Sequence, residues 1–196
     1  MSTTEDILTA PTQPHSLPSP MGQAIDAATA HAYRTLRTRN HPQEWKLVSL
    51  RDCPTPTEIQ ECTTPAQAAD YWRLHVQANP YFNPDVEFFV VILLNTRMRI
   101  KGHVIVGMGI MDSVLVHPRE VFRVAIVAGA YAVIVAHNHP AGDPSPSDAD
   151  IKTTRDLIRA GQLIRIQVMD HIIMGQPAPD RIRGYSSLKE LGLFYQ

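Results

Sequence analysis

The stretch AYAVIVAHNHPAGDPSPSDAD, residues 130–150, passes from an apolar run into two histidines, a proline-rich loop and a group of aspartates. The apolar run predicts a buried strand, because it is short, rich in valine and isoleucine, and followed by turn residues. Ser147 and the acidic residues after it predict the start of a helix over SDADIKTTRDLIRAG, which Gly161 would close. A strand leading through a loop into a helix is typical of an α/β fold.

Apolar segments on both sides of this unit predict the rest of a sheet. VEFFVVILLNT and MRIKGHVIVGMG predict two strands of an antiparallel hairpin, and LIRIQVMDHIIMG predicts a further strand. HPREVFRVAIVAG predicts a helix that begins at Pro118 and ends at Gly129. The order β-β-α-β-α-β therefore predicts an α/β fold in which helices cover a mixed β-sheet. The final YSSLKELGLFYQ predicts a short helix or an edge piece of the sheet.

The composition divides the chain into three parts. Residues 1–20 are rich in proline and polar residues, which predicts a disordered tail. Residues 21–80 predict a helical extension that includes a helix over TPAQAADYWRLHVQ, with Thr64 as its N-cap. Residues 81–196 carry the predicted strands and both histidines, and they form the predicted main domain.

Charge, hydropathy and cysteine content exclude several classes of protein. The net charge of −1 provides no global positive field for nucleic acid or an anionic membrane. No apolar run is long enough to span a bilayer, and the N-terminus resembles no signal peptide, so we expect a cytoplasmic protein without membrane contact. The two cysteines, Cys53 and Cys62, are too few for a disulfide framework. Free thiols are favoured over a zinc pair or a single bridge.

The histidine pair predicts a metal site. Residues two apart in an extended segment point to the same face, so His137 and His139 would direct both imidazoles at one point. A hydrolytic zinc site needs three protein ligands and one open position, and Asp150 is the candidate for the third ligand. The prolines between them stiffen the loop and reduce the entropy lost in holding Asp150 there. Imidazole and carboxylate suit Zn²⁺, although other transition ions bind such a set.

Each of these residues also has a purely structural interpretation. Ser147 and Asp150 have the spacing of a capping box with Asp in place of Glu. A histidine at a strand end can simply bond a loop carbonyl. The joint occurrence of two histidines, a stiff loop and an acid at a helix start nevertheless favours a metal site.

Other residues complete a catalytic hypothesis. Glu87, at the start of an apolar strand, is the candidate general base, and an exposed position on an edge strand is its alternative. Ser147 would donate its hydroxyl to the oxyanion that forms when water attacks a carbonyl. Asp170 and His171 are weaker candidates for orienting a ligand imidazole. A strand-end ion pair or a solvent-facing position is the alternative for both.

The stretch from His137 to Asp150 fits the JAMM (MPN+) metalloprotease motif. That motif is an upstream Glu, then His-x-His, seven residues, Ser, two residues and Asp. VHPREVFRVAI, AHNHPAGDPSPSDADI, MDHIIMG and the terminal YSSLKELGL resemble the bacterial RadC family in order and spacing. The resemblance covers residues 85–194.

The resemblance implies a JAMM/MPN fold, related to the cytidine deaminase architecture, and a zinc metallopeptidase or isopeptidase. His137, His139 and Asp150 would bind Zn²⁺, Glu87 would be the general acid/base, and Ser147 would assist the oxyanion. A Glu-activated, zinc-bound water would attack an amide carbonyl of a peptide or protein-conjugate substrate.

Two other function classes stay open. A DNA repair-associated or DNA-processing protein is less favoured, because the helix-hairpin-helix segment of many full-length RadC proteins has no counterpart before residue 80. RTLRTRNH and TRMRIK would then form a local phosphate-binding face. A metal-bearing scaffold without turnover is the remaining class. Deamination is disfavoured, since the His-x-Glu and Pro-Cys-x-x-Cys motifs are absent.

Overall fold

The computed structural model describes residues 50–109, 116–179 and 181–195. The predicted tail and the first part of the predicted extension lie outside these ranges. The helices are α1 (Thr57–Gln60), α2 (Pro65–Tyr71), α3 (Pro118–Val127) and α4 (Asp148–Ile164), with a π-helical turn (Trp72–Val76) directly after α2. The strands are β1 (Phe88–Leu94), β2 (Ile100–Met108), β3 (Ala132–Asn138), β4 (Gln167–Met174) and β5 (Tyr185–Ser187).

The strands form one mixed sheet in the order β2-β1-β3-β4-β5. β1 pairs antiparallel with both β2 and β3, while β3 and β4 are parallel because α4 connects them as a crossover. The short β5 pairs antiparallel with the end of β4, so the C-terminal segment is an edge piece rather than a helix. The prediction of a mixed sheet flanked by helices is confirmed.

Helices cover both faces of the sheet, and successive side chains of each strand point to opposite faces. α3 and α4 pack on one face, where Val121, Phe122 and Leu157 meet residues such as Phe89 and Val91. The opposite face is covered by α2 and the π-helical turn, whose Tyr71 and Trp72 are buried with the other set of strand residues. Residues 65–76, predicted as part of an extension, thus share a core with the strands. No helix within the described ranges is long and apolar enough to cross a membrane.

The expected end of α4 at Gly161 is wrong, because the helix continues to Ile164 and ends where Arg165 adopts a left-handed φ of 58°. Gly161 instead lies where α4 closely approaches the backbone of Ile166 and the side chain of Phe122 on α3. A Cβ at this position would lie 2.5 Å from the carbonyl oxygen of Ile166 and 3.0 Å from the ring of Phe122. The glycine is therefore required by packing and does not stop the helix.

Candidate metal centre

Two histidines and an aspartate converge where β3 ends and α4 begins. His137 is on β3, His139 follows two residues later on the same face, and Asp150 lies in the first turn of α4. His137 Nε2 lies 3.0 Å from His139 Nε2 and 3.1 Å from Asp150 Oδ1, and His139 Nε2 lies 3.5 Å from Asp150 Oδ2. Among the described residues, this is the one group of histidine, cysteine and acidic side chains that could hold a metal ion.

The spacing of the candidate ligand atoms around His137 Nε2 fits a tetrahedral ion. Ligand bonds of about 2.0–2.1 Å place neighbouring ligand atoms of such an ion roughly 3.3 Å apart. His137 Nε2 lies 3.0 Å from His139 Nε2 and 3.1 Å from Asp150 Oδ1, close to that value, whereas the 3.5 Å separation of His139 Nε2 is to the other carboxylate oxygen, Oδ2. Three protein ligands leave one position open, as in catalytic rather than structural zinc sites.

The loop between His139 and Ser147 orients the second imidazole. His139 Nδ1 lies 2.7 Å from the carbonyl oxygen of Asp143, and a carbonyl only accepts hydrogen bonds. His139 Nδ1 must therefore carry a proton, so that the ring, when neutral, directs its Nε2 lone pair at the other two candidate ligands. The Asp143 side chain in turn accepts from Ser145 and pairs with Arg181, which holds the loop in this shape.

The end of β4 supports the same loop from below. The backbone N–H of His139 donates to Met174, and that of Gln176 donates to Gly142. A Cβ on Gly175 would lie 2.5 Å from the carbonyl oxygen of Gly142 and 2.7 Å from the Pro144 ring, so a larger residue would push the loop outward.

His137, His139 and Asp150 are called the donor group here, because they offer the candidate metal-ligand atoms. The electrostatics of the donor group favour an anionic Asp150 between the two imidazoles. Burial alone would raise the pKa of Asp150, but hydrogen bonds to His137, His139 and the Ser147 hydroxyl, together with the charge interaction with His137, hold the pKa well below its usual range. Burial lowers the pKa of His139, yet the bonds to Asp150 and to the Asp143 carbonyl outweigh this and raise it overall. A positive charge at the centre of the group is thus stabilised.

The geometry of Ser147 and Asp150 is compatible with both interpretations, the helix cap and the metal site. Ser147 is the N-cap of α4, and its Oγ accepts from the Asp150 backbone N–H. The Asp150 carboxylate accepts from the Ser147 N–H at 2.8 Å and from its hydroxyl at 2.6 Å, which completes a capping box. The cap fixes one carboxylate oxygen and leaves the other facing His137.

Glu87 lies beside the donor group. Its residue immediately precedes β1, only 9% of its surface is exposed, and Oε1 is 3.9 Å from His137 Nε2. The Asn138 side chain accepts from the Phe88 N–H and donates to the Val86 carbonyl, on either side of Glu87. Glu87 is therefore buried and held at the site, which rejects the alternative of an exposed position on an edge strand.

His171 contacts the donor group through the ring of His137. Its Nε2 lies 2.8 Å from His137 Nδ1, and its Nδ1 lies 2.6 Å from the Thr154 hydroxyl. The Phe89 ring stacks on His137 with an interplanar angle of 7° and meets His171 edge-on. Complete burial holds the pKa of His171 well below its ordinary value.

Asp170 lies away from the donor group. Its carboxylate accepts from the Ser187 hydroxyl at 2.6 Å and from the backbone N–H groups of His171 and Lys189. With Cys62 and Met169 it lines a cavity of about 340 Å³ on the face covered by α2. Burial raises the pKa of Asp170 despite these donors. Its contacts tie β4 to β5 and to the segment after it.

Replacement of Asp170 should affect stability and leave metal affinity unchanged. Asp170→Ala leaves three hydrogen-bond donors without their acceptor, two of them buried, which should lower the free energy of unfolding by about 2–4 kcal/mol. Asp170→Asn keeps one acceptor oxygen and should recover most of that loss. Urea unfolding and metal titration of both variants check this. A metal affinity that falls in Asp170→Asn would instead place Asp170 in the metal site.

The two cysteines and the segment TRMRIK were also considered in the sequence, and their contacts belong to the fold. Both cysteines are free, and burial raises the pKa of Cys62 to about 12. Lys101 of the segment TRMRIK donates to the carbonyls of Ala128 and Gly129 at the end of α3. This lysine caps a helix, which removes one cation from the phosphate-binding face considered for DNA. The segment RTLRTRNH lies outside the described residues.

Sequence reasoning missed two residues near the site. Asn138 stands between the two histidines and Thr154 stands four residues after Asp150, one helical turn along the same face of α4. Both spacings are visible in the sequence. The sequence does not show that Asn138 bonds residues at the start of β1 or that Thr154 bonds His171 on β4, because strand register cannot be read from one sequence.

Comparison with known proteins identifies the family of the chain. A family model described as a RadC-like JAB domain matches residues 62–193. The chain is 48% identical over 108 residues to the UPF0758 protein STH371 of Symbiobacterium thermophilum, which covers 55% of this chain and 44% of the relative. A UPF0758 protein of Desulforudis audaxviator is 43% identical over 131 residues, or 67% of this chain and 52% of the relative.

A third relative, the UPF0758 protein of Desulforamulus reducens, is 45% identical over 109 residues, covering 56% of this chain and 45% of the relative. The chain thus spans about half the length of the curated relatives that it matches. The matched region contains the donor group, Glu87, and the helices α3 and α4. The chain belongs to the RadC-like JAB domain family.

Proposed function

We propose that this protein is a zinc-dependent hydrolase that cleaves peptide or isopeptide bonds. The observation that carries the proposal is a buried carboxylate, Glu87, beside three side chains that could hold a metal ion and would leave one position of a tetrahedral ion open. When bound, Zn²⁺ supplies Lewis-acid activation of water and of the scissile carbonyl.

The residues around the open position supply the proton transfers. Glu87 accepts a proton from the attacking water and later delivers it to the leaving amine nitrogen. Its low exposure and the Asn138 bonds on either side of it restrict its movement between these steps. The imidazoles of His137 and His139 stay neutral as ligands and take no part in proton transfer.

Ser147 has two duties in this proposal. Its hydroxyl hydrogen is directed at Asp150 Oδ2, which orients that ligand. To assist an oxyanion, the hydroxyl would rotate toward the substrate while the Ser147 N–H keeps its bond to the carboxylate. Orientation of Asp150 is thus the primary role, and the oxyanion role is an additional proposal.

Metal analysis is the first test. Full-length protein purified without chelator should hold about one zinc per chain, and His139→Ala should hold none, because it removes one of three ligands. His117→Ala is the matched control, since His117 only caps α3. Protein that folds normally, but binds neither zinc nor another divalent ion after metal is added, would overturn the proposal.

A second test addresses the bond that is cleaved. A peptide library derived from cell proteins is incubated with zinc-loaded protein, with chelator-treated protein and with His139→Ala. New peptide ends should appear only with the zinc-loaded wild type. Cleavage of an added DNA duplex, with no change in the peptides, would favour the DNA-processing alternative.

A further inference from the structure

A chain of three hydrogen bonds links the backbone of Asp150 to the ring of His137. The Thr154 hydroxyl lies 2.6 Å from the Asp150 carbonyl oxygen and 2.6 Å from His171 Nδ1. His171 Nε2 lies 2.8 Å from His137 Nδ1. Thr154, His171 and His137 are all fully buried, so no solvent interrupts this chain.

The Asp150 carbonyl at one end of this chain of hydrogen bonds determines which atom donates in each bond. A carbonyl oxygen only accepts, so the single hydrogen of the Thr154 hydroxyl is committed to Asp150. The hydroxyl oxygen can then only accept from His171, which places the proton of His171 on Nδ1. His171 is fully buried, and among the described residues no carboxylate bonds its ring, so a charged ring there would be costly. Its unprotonated Nε2 therefore accepts from His137 Nδ1.

We propose that Thr154 and His171 are positioning residues that hold His137 as its Nδ1–H tautomer, with the Nε2 lone pair directed at the metal position. Without the hydroxyl, the His171 proton can move to Nε2, and His137 would then protonate Nε2 and block its own ligand atom. The effect on metal affinity rests on the proposed function, whereas the tautomer is a property of the metal-free protein.

The arrangement gives Asp150 two roles through different atoms. Its carboxylate is a candidate ligand, while its backbone carbonyl sets the polarity of the hydrogen bonds that reach the ligand His137. His139 is set independently by the Asp143 carbonyl. Both candidate imidazole ligands are thus fixed by backbone carbonyls, one directly and one through two side chains.

Thr154→Val tests the proposal, because valine keeps the shape of the side chain and removes only the hydroxyl. Correlation spectra of the imidazole ¹⁵N nuclei in metal-free protein, recorded at a pH at which the histidines are neutral, should show His137 as the Nδ1–H tautomer in wild type and a mixture in Thr154→Val. Zinc affinity of the variant, from competition with a chromophoric chelator, should fall about 10- to 100-fold.

Two matched variants separate positioning from general damage. Thr154→Ser retains the hydroxyl and should restore both the tautomer and the affinity, and Thr153→Val makes the same change one residue away, where it should affect neither. Circular dichroism verifies that each variant folds.

Three outcomes would overturn the inference. They are neutral wild-type His137 protonated on Nε2 and not on Nδ1, zinc affinity unaltered in a folded Thr154→Val, and failure of Thr154→Ser to restore a lost affinity. A wild type that binds no metal but shows the Nδ1–H tautomer would overturn the proposed function while supporting the hydrogen-bond chain.

Discussion

Glu87→Gln should retain zinc at the wild-type level and lose hydrolysis by about 10²- to 10⁴-fold, the usual contribution of a positioned general base. The amide has nearly the same shape as the carboxylate and cannot accept a proton from water. Metal binding should survive, because Glu87 Oε1 is 3.9 Å from His137 Nε2 and outside the group of three donors.

The measurement combines metal content with a search for substrates. Zinc per chain is determined for both proteins, and cells carrying Glu87→Gln are compared by mass spectrometry with cells carrying wild type. Peptides or protein conjugates that accumulate only with the variant identify the substrate, and their cleavage by purified wild-type protein gives the rate loss.

Asp85→Asn is the matched control for this experiment. It removes a carboxylate two residues earlier, at an exposed position, and should leave zinc content and cleavage unchanged. A purified Glu87→Gln that cleaves at the wild-type rate would eliminate Glu87 as the base. A cell in which nothing accumulates, together with a purified wild type that cleaves no peptide, would favour the scaffold alternative.

The parts of the site that follow from local periodicity could be predicted. Alternation along a strand placed His137 and His139 on one face, and the spacing of Ser147 and Asp150 predicted the N-cap of α4. Both depend only on residues close together in the chain. The same local reasoning correctly placed Thr64 at the start of α2, where a capping box forms with Gln67.

The parts that depend on pairing between strands could not be predicted. Asp170 and His171 are adjacent and looked equivalent in sequence, yet only His171 faces the donor group. The register of β3 against β4 shifts between Val133 and Val135, and this irregularity affects which β4 side chains face α4. The bonds from Asn138 to the residues flanking Glu87 likewise depend on the register between β1 and β3.

Asp150→Asn should reduce zinc affinity by more than the roughly 100-fold expected for a residue outside the ligand set. Two donors of Ser147, its N–H and its hydroxyl, bond one carboxylate oxygen and would hold the amide oxygen in the same place. The amide NH₂ would then face His137 Nε2, which lies 3.1 Å from the other carboxylate oxygen. A hydrogen-bond donor would thus occupy the place of a ligand.

The same substitution separates the two interpretations of Asp150, because it keeps the capping box and removes the ligand. The metal-free variant should differ from wild type by no more than on the order of 1 kcal/mol in unfolding free energy, since the cap is retained. Added zinc should raise the melting temperature of wild type and leave that of Asp150→Asn almost unchanged, because only the native wild type binds the ion. Asp148→Asn, which neutralises an exposed acid in the same helical turn, should respond to zinc as wild type does. If Asp150→Asn bound zinc as tightly as Asp148→Asn, Asp150 would be a capping residue alone, and the third ligand would have to be sought elsewhere, with Glu87 the nearest carboxylate to His137.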